Sequence, residues 1–353
     1  MRKHIKDFAL PVSLLLLSAV SFVSAMLMPG LFAGWYPIVV REVSHVISKI
    51  TGIIPFALGE LSMYALPAAL VAYIALSIIK RVKFKHIARV LLTWTGAILL
   101  PFVWLYGIAY FSPTPSERIG LTVNPATAQE LLETAEYYRD LLNASEVERG
   151  EGNQTVRQTL KSYNKSVISG YNKLAEQHDF IRANPAPAKG LVLGVVQSHL
   201  GISGIYFPWV TESCVNLNTP PQNLPATIAH ELAHRQGVAP EDEANFLGIL
   251  ACLSSGDPNV EYSGAFLAYT FLSNALGKAD PASQSRLWAG LSDKVLADFF
   301  GVREHYERYE GPINELGERI NDTYLRAMQQ EAGTESYGMV VDLLVAYYKK
   351  MTP

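Results

Sequence analysis

Apolar positions crowd the first third of the chain and then thin out abruptly. Three runs there are long enough to cross a bilayer, which takes about 20 mainly apolar residues: about Phe8 to Met28, about Leu61 to Ile79, and about Val90 to Tyr110. The first has no charge after Asp7, and the third contains Pro101, which a membrane helix tolerates. Trp94, Trp104, Tyr106 and Tyr110 suit interfacial or packed positions. Between the first two runs, Val39, Val40, Val43, Val46, Ile47 and Ile50 recur at the spacing of one helical face. That spacing predicts an amphipathic helix over about 37–51, on the outer membrane surface or packed beneath a soluble domain. His45 falls on its polar face, where a lone histidine is expected to be solvated rather than to bind an ion.

Ser112-Pro113-Thr114-Pro115-Ser116 ends the third run, dividing a membrane region (1–112) from a soluble domain (113–353). In that domain, helical spacing is expected from about Ala126 to Val147 and from Val156 to Ile181, with a turn at Gly150, Gly152 and Asn153. Leu191 to Val196 and Ile205 to Asn218 hold short β-prone runs broken by Gly, Pro and Ser, so strands or extended segments are expected there. From Pro225 the pattern is helical almost to the end, with breaks at Gly237–Pro240, Ser254–Pro258, Asp280-Pro281, Gly311-Pro312 and Gly333. The expected fold is mainly α: three transmembrane helices, then an α+β domain with a small sheet and a helical C-terminal part.

Composition sharpens this division. Of 353 residues, 49% are apolar and 17% charged, a bias carried by the region before about position 112. A net charge of −3 and no basic stripe with interleaved aromatics leave no basis for nucleic-acid binding. Arg2, Lys3 and Lys6 precede the first span, and Lys80, Arg81, Lys83, Lys85 and Arg89 crowd the link between the second and third. Basic clusters favour the cytoplasm, so the reading is a multi-pass cytoplasmic-membrane protein with a cytoplasmic N-terminus and an extracytoplasmic C-terminal domain. A cleaved signal peptide ending near Val23-Ser24-Ala25 is the alternative for the first run. Its apolar stretch exceeds most such cores, which favours an uncleaved span, and both readings orient the later spans alike. Cys214 and Cys252 are too few for a thiolate zinc site. One disulfide in an oxidising compartment and two buried small hydrophobes both remain open, the second slightly favoured.

The chemistry concentrates in Ala226-Thr227-Ile228-Ala229-His230-Glu231-Leu232-Ala233-His234-Arg235-Gln236-Gly237. Pro225 suits a helix start and Gly237 its end. Histidines at i and i+4 share one face and can offer ring nitrogens to one ion, while Glu231, one step round, can reach water beside that ion. Such a site needs a third protein ligand and an open position. Pro240-Glu241-Asp242-Glu243-Ala244-Asn245 supplies candidates: Glu241 as ligand, Asn245 one turn on as a hydrogen-bonding support, and Glu243 as the rival ligand. The competing reading is an acidic trio that merely complements a helix N-terminus. The short link from His234 to Glu241 requires a tight reversal, with Gly237 as hinge. Tyr337, beside Gly338, is the candidate donor to a developing oxyanion, with His199 and Asn216 weaker ones. The extended run before the motif is expected to form an edge strand along which a peptide can lie.

At these residues the sequence resembles an uncharacterised family of bacterial membrane proteins, the "domain of unknown function 3810" family. The matching segments are His230 to Gly237 with Glu241 to Leu247, Ile54-Pro55-Phe56-Ala57-Leu58-Gly59-Glu60, Gly201-Ile202-Ser203-Gly204, and Ser336-Tyr337-Gly338 with Val340-Val341-Asp342-Leu343-Leu344. The resemblance implies a bacterial multi-pass protein with a zincin-like domain and supplies no substrate. More distantly, the pattern is similar to membrane peptidases of the Ste24/HtpX and ImmA/IrrE types, which implies Glu241 as ligand and peptide-bond hydrolysis.

Together these readings give a membrane-anchored zinc metallopeptidase that uses a zinc-activated water with Glu231 as general base. Its expected partners are a bilayer and a peptide or protein substrate of the envelope or membrane vicinity. The alternative is an inactive zincin-fold envelope scaffold or binding protein. A transporter is disfavoured because the spans lack intramembrane charged pairs. Intramembrane cleavage is disfavoured because Arg235, Glu241, Asp242 and Glu243 surround the motif.

Overall fold

The computed structural model describes residues 2–145, 156–328 and 339–352. The chain resolves into two compact units: the first comprises residues up to Ser112 together with Phe207–Glu212, the second Pro113–Tyr206 and Ser213 onward.

The first unit holds α1 (Arg2–Leu27), α2 (Gly30–Ala33), α3 (Tyr36–Thr51), α4 (Leu58–Ile79) and α5 (Phe84–Leu105), with a 3-10 turn at Gly107–Phe111. Three of its helical stretches, Asp7–Leu27, Leu58–Ile79 and Phe84–Phe111, are long and apolar enough to cross a membrane, which is compatible with a membrane-anchored protein. α1 packs lengthwise on α5, with Phe22 edge-on to Phe111. The amphipathic α3 is turned opposite to a water-soluble helix. Val39, Val43, Val46 and Ile50 are exposed, whereas Ser44, His45, Ser48 and Thr51 are buried. His45 is therefore not solvated, contrary to expectation, because the polar face of α3 is turned inward towards the segment Phe207–Glu212. Thr211 Oγ1 donates to Ser44 O (3.1 Å), and Thr51 Oγ1 donates to Val210 O (3.2 Å). From α4, Gly59 N–H donates to the Glu212 carboxylate (2.9 Å), and Trp209 Nε1 donates to Ser62 Oγ (3.0 Å).

The second unit contains α6 (Pro115–Arg118), α7 (Ala128–Ala144), α8 (Val156–Gln177), β1 (Lys189–Gly190), α9 (Gly194–His199), β2 (Gly204–Phe207), β3 (Glu212–Val215), α10 (Leu224–Arg235), α11 (Glu241–Leu253), α12 (Pro258–Ala279), α13 (Pro281–Ala289), α14 (Asp293–Glu307), α15 (Pro312–Ala327) and α16 (Val340–Met351). The joining segment and its flanking strand ends, Phe207 and Glu212, belong to the first unit. Local chemistry sets many of these boundaries. Thr127 and Glu130 close a capping box on α7, Asp257 and Asp280 cap α12 and α13, and prolines open α12, α13 and α15. The three strands are ordered β1-β3-β2, with β1 parallel to β3 and Lys189 opposite Cys214. β2 is thus an edge strand. The valines at 195 and 196, expected to be extended, are helical: α9 starts at Gly194, and the paired strand β1, Lys189–Gly190, lies just before the expected stretch. The break between α13 and α14 at Gly290–Ser292 was not legible from the pattern, whereas the turn expected at Gly150, Gly152 and Asn153 and the break at Gly333 lie outside the described residues.

The core of this unit gathers α7, α8, α10, α11, α12 and α16 around Tyr138, Tyr171, Leu232, Phe246, Leu247, Ile249 and Leu272. Cys214 and Cys252 are both buried, Cys252 within this core, and no disulfide joins them. Burying side chains of this size contributes roughly 1.5–3 kcal/mol each, so α10 and α11 are fixed in a rigid, apolar setting before any polar group is considered.

Candidate metal centre

α10 places His230 and His234 one turn apart, and a tight link brings α11 back beside them. The link turns at Gly237, whose φ of 89° lies in the left-handed region that glycine adopts without strain. His234 is the first beneficiary of this turn. Its Nδ1 lies 2.8 Å from Val238 O. A carbonyl only accepts, so Nδ1 carries a proton, and the neutral ring keeps its lone pair on Nε2. Glu241, first residue of α11, then points back at both rings.

The three side chains converge. His230 Nε2 lies 3.1 Å from His234 Nε2 and 3.2 Å from Glu241 Oε2, and His234 Nε2 lies 3.7 Å from Glu241 Oε1. Among the described residues this is the group of His, Cys, Asp and Glu with ligand atoms mutually close enough to hold one ion, all within 4.8 Å. Zinc bonds of about 2.0–2.1 Å in a tetrahedron separate neighbouring ligand atoms by about 3.4 Å. The observed spacings bracket that value, so the residues present fit a zinc ion. His230 is the least buried of the three, with 14% of its side-chain surface exposed against 5% for His234 and 9% for Glu241.

Glu231 sits beside this triad. Burial pushes its carboxyl up to about 7, although His230 and His234 pull the other way. Oε2 is buried without a hydrogen-bond partner. β2 is responsible for part of that enclosure, because Gly204 lies directly against the carboxylate. A Cβ at position 204 would fall 2.4 Å from Glu231 Oε1. Glu241 is opposite in character: burial alone would raise its carboxyl, but the two histidines outweigh it and hold Glu241 well below the usual carboxylate range. The two glutamates are thereby separated, one an ionised partner of the rings and the other a carboxyl poised near neutrality.

Supporting contacts hold α10 from several sides. The Tyr171 hydroxyl donates to Ala229 O (2.6 Å), and Ser213 Oγ donates to Glu231 O (2.6 Å). Gly248 of α11 approaches so closely that a Cβ there would meet His230 N at 3.0 Å. None of Gly204, Ser213, Tyr171 and Gly248 was singled out from the sequence for a role at the site. The available signal was Gly204, which ends the matching segment Gly201–Gly204 and directly precedes the β-prone run from Ile205, where a glycine marks close approach by another group.

The other sequence candidates are placed as follows. Glu243 turns away from the triad. Its carboxylate accepts from Ser116 N–H (3.0 Å) and from the Ser116 hydroxyl, tying α6 to α11. Asn245 is buried on α11 with Nδ2 unpartnered, and His230 Nδ1 is likewise buried and unpartnered. Asn216 joins α9 to the sheet by donating to Ser198 Oγ (2.9 Å) and Ile202 O (3.1 Å), and His199 packs edge-on to Tyr309. Neither belongs to the triad. Tyr337 lies outside the described residues.

A family model described as "Protein of unknown function (DUF3810)" matches residues 33–345. The chain belongs to that family. The matched stretch takes in α3 to α5 as well as both histidines, Glu231 and Glu241, so two of the three membrane-compatible stretches and the candidate ligands fall within it, while Asp7–Leu27 lies before it. No curated protein and no solved structure matches the chain.

Proposed function

We propose that this protein is a membrane-anchored zinc metallopeptidase whose catalytic domain works on the extracytoplasmic side. The observation that carries the reading is the convergence of His230, His234 and Glu241 beside a buried Glu231 with one oxygen unpartnered. His230, His234 and Glu241 would hold the ion through two imidazole nitrogens and a carboxylate. When bound, zinc supplies Lewis acidity and makes water nucleophilic near neutral pH. The chain's own residues account for the rest. Glu231 takes the proton of the attacking water at its carboxylate, a transfer suited to a group titrating near 7. The same carboxyl then returns the proton to the departing amine. The Val238 carbonyl holds His234 in the tautomer that offers Nε2. The edge strand β2, packed over Glu231 at Gly204, provides main-chain groups for an extended peptide. The basic link Lys80–Arg89 between the second and third apolar helices supports the orientation.

The test uses the full chain in lipid nanodiscs. Metal analysis is expected to find about one zinc per wild-type chain, and far less in His230→Ala and Glu241→Ala. Glu231→Gln is expected to keep the zinc and lose cleavage of a quenched fluorescent peptide library. Equal zinc in wild type and both ligand variants, or full cleavage by Glu231→Gln, would overturn the reading.

A further inference from the structure

The metal centre does not explain an aliphatic surface that α9 and α15 build beside the sheet. Val192, Val195, Val196, Ile313, Leu316 and Ile320 are each between 48% and 75% exposed. The two helices meet where Gly317 lies on Leu200: a Cβ at 317 would fall 2.3 Å from the Leu200 carbonyl oxygen. Ile313, Leu316 and Ile320 lie within a turn of Gly317, and Val196 lies one turn before Leu200, so these aliphatics border the crossing. The surface is tied to the sheet. Asn218 Nδ2 donates to Ser198 Oγ (2.9 Å) and to the Tyr309 hydroxyl (2.8 Å), and Asn216 bridges Ser198 and Ile202.

Chain continuity links this surface to the triad. Gly204, which rests on Glu231, follows Leu200 by only four positions and opens the edge strand. An extended residue advances about 3.3–3.6 Å, so a few residues of a peptide paired along β2 span the distance from Glu231 to the aliphatics. Charge says what kind of peptide. Gly190–Ser198 contains no ionisable side chain, and the charges of α15 lie on its other face, where Arg319 pairs with Glu315 (3.4 Å) and Arg326 with Asp322 (2.8 Å). That face carries three acidic residues against two arginines, unlike the basic polar face with which a helix docks on anionic lipid.

Building on the peptidase reading above, we propose that the α9–α15 surface selects the substrate class, receiving the aliphatic side chains of an extended peptide laid along the edge of β2. The experiment compares two fluorescein-labelled peptides of equal length and charge, one with Leu and Val at alternate positions, the other with Ser and Asn. Binding to full-length Glu231→Gln in zwitterionic nanodiscs is read by anisotropy, and turnover is read with the wild type. The aliphatic peptide is expected to bind at least about tenfold more tightly. Val196→Asn or Leu316→Asn should remove that preference, acting on KM rather than kcat, with zinc content unchanged. Undetectable or equal binding of the two peptides, or a preference that survives both substitutions, overturns the proposal. So does a substitution that converts a dimer to a monomer in light scattering, since the surface is then an interface between copies. Aliphatic-selective binding without cleavage by the wild type leaves this assignment standing and sinks the peptidase reading instead.

Discussion

Both units of the chain bury polar side chains, and they treat them in opposite ways. In the first unit, Thr51, Thr211, Glu212 and Trp209 close hydrogen bonds among α3, α4 and the segment Phe207–Glu212. At the candidate metal centre of the second unit, His230 Nδ1, Glu231 Oε2 and Asn245 Nδ2 are buried with no partner. An unpaired buried polar group costs about 1–3 kcal/mol, so three close together oppose folding unless something else uses them. Single unpartnered hydroxyls, such as those of Tyr73 and Tyr138, occur in both units; it is the grouping of such atoms on the candidate ligand helices that sets this site apart. The outer surfaces reverse as well. α3 turns Val39, Val43 and Val46 outward and its serines inward, whereas the helices around Tyr171 and Phe246 bury their apolar faces. Helices of similar amphipathic design therefore record different surroundings, one compatible with lipid and one with water.

The largest expected effect sharpens this contrast at Gly204. Gly204→Val drives a side chain into Glu231 and should lower peptide turnover at least about 100-fold while zinc content holds; unchanged turnover would mean that the enclosure of Glu231 is incidental. Next is the pH behaviour of the metal-free protein. Glu231 is raised from 4.5 to about 7 by burial, so the unfolded chain ionises first. The carboxyl's contribution to stability is fully present below about 4.5 and is lost as pH rises through about 7. Glu231→Gln should then stabilise the chelated protein at pH 8 by on the order of 2 kcal/mol relative to its effect near pH 4.5; a pH-independent difference in unfolding curves would break the argument. In the first unit, Glu212→Ala leaves Gly59 N–H buried without its acceptor and should cost about 1–2 kcal/mol of stability with zinc stoichiometry unaltered. Loss of zinc from that variant would erase the distinction between joint and site. The smallest effect is expected at Asn245, buried on α11 one turn from Glu241: on the proposed reading Asn245→Ala should weaken zinc binding by about tenfold, measured by competition with a chromophoric chelator.

Features written locally in the sequence could be read from it. The three apolar runs appear as helices whose ends lie within about six residues of the expected limits, and Gly237, Ser254–Pro258, Asp280-Pro281 and Gly311-Pro312 all fall at helix boundaries. His230, His234 and Glu241 could be brought together on paper because helical spacing and one short link fix their relation. Features that depend on distant pairing could not be read. Glu243 meets Ser116 across 127 positions, and Glu212 meets Gly59 across 153; no local pattern encodes such a choice between two acidic neighbours. The same holds for His45, whose burial depends on a segment far down the chain. At Val195 and Val196 a preference for strand gave way to the turn that Asn216 holds against Ser198 and Ile202.

The membership of Phe207–Glu212 in the first unit has a practical consequence. Cutting the chain at Ser112 to obtain a soluble fragment leaves those six residues without the α3 and α4 groups that receive them, with Trp209 losing Ser62 and Glu212 losing Gly59. The strands on either side, including the one that rests on Glu231, would then be joined by an unsupported bend. Removing the apolar helices is thus an operation on the three-stranded sheet as well, and only the intact chain keeps that bend supported.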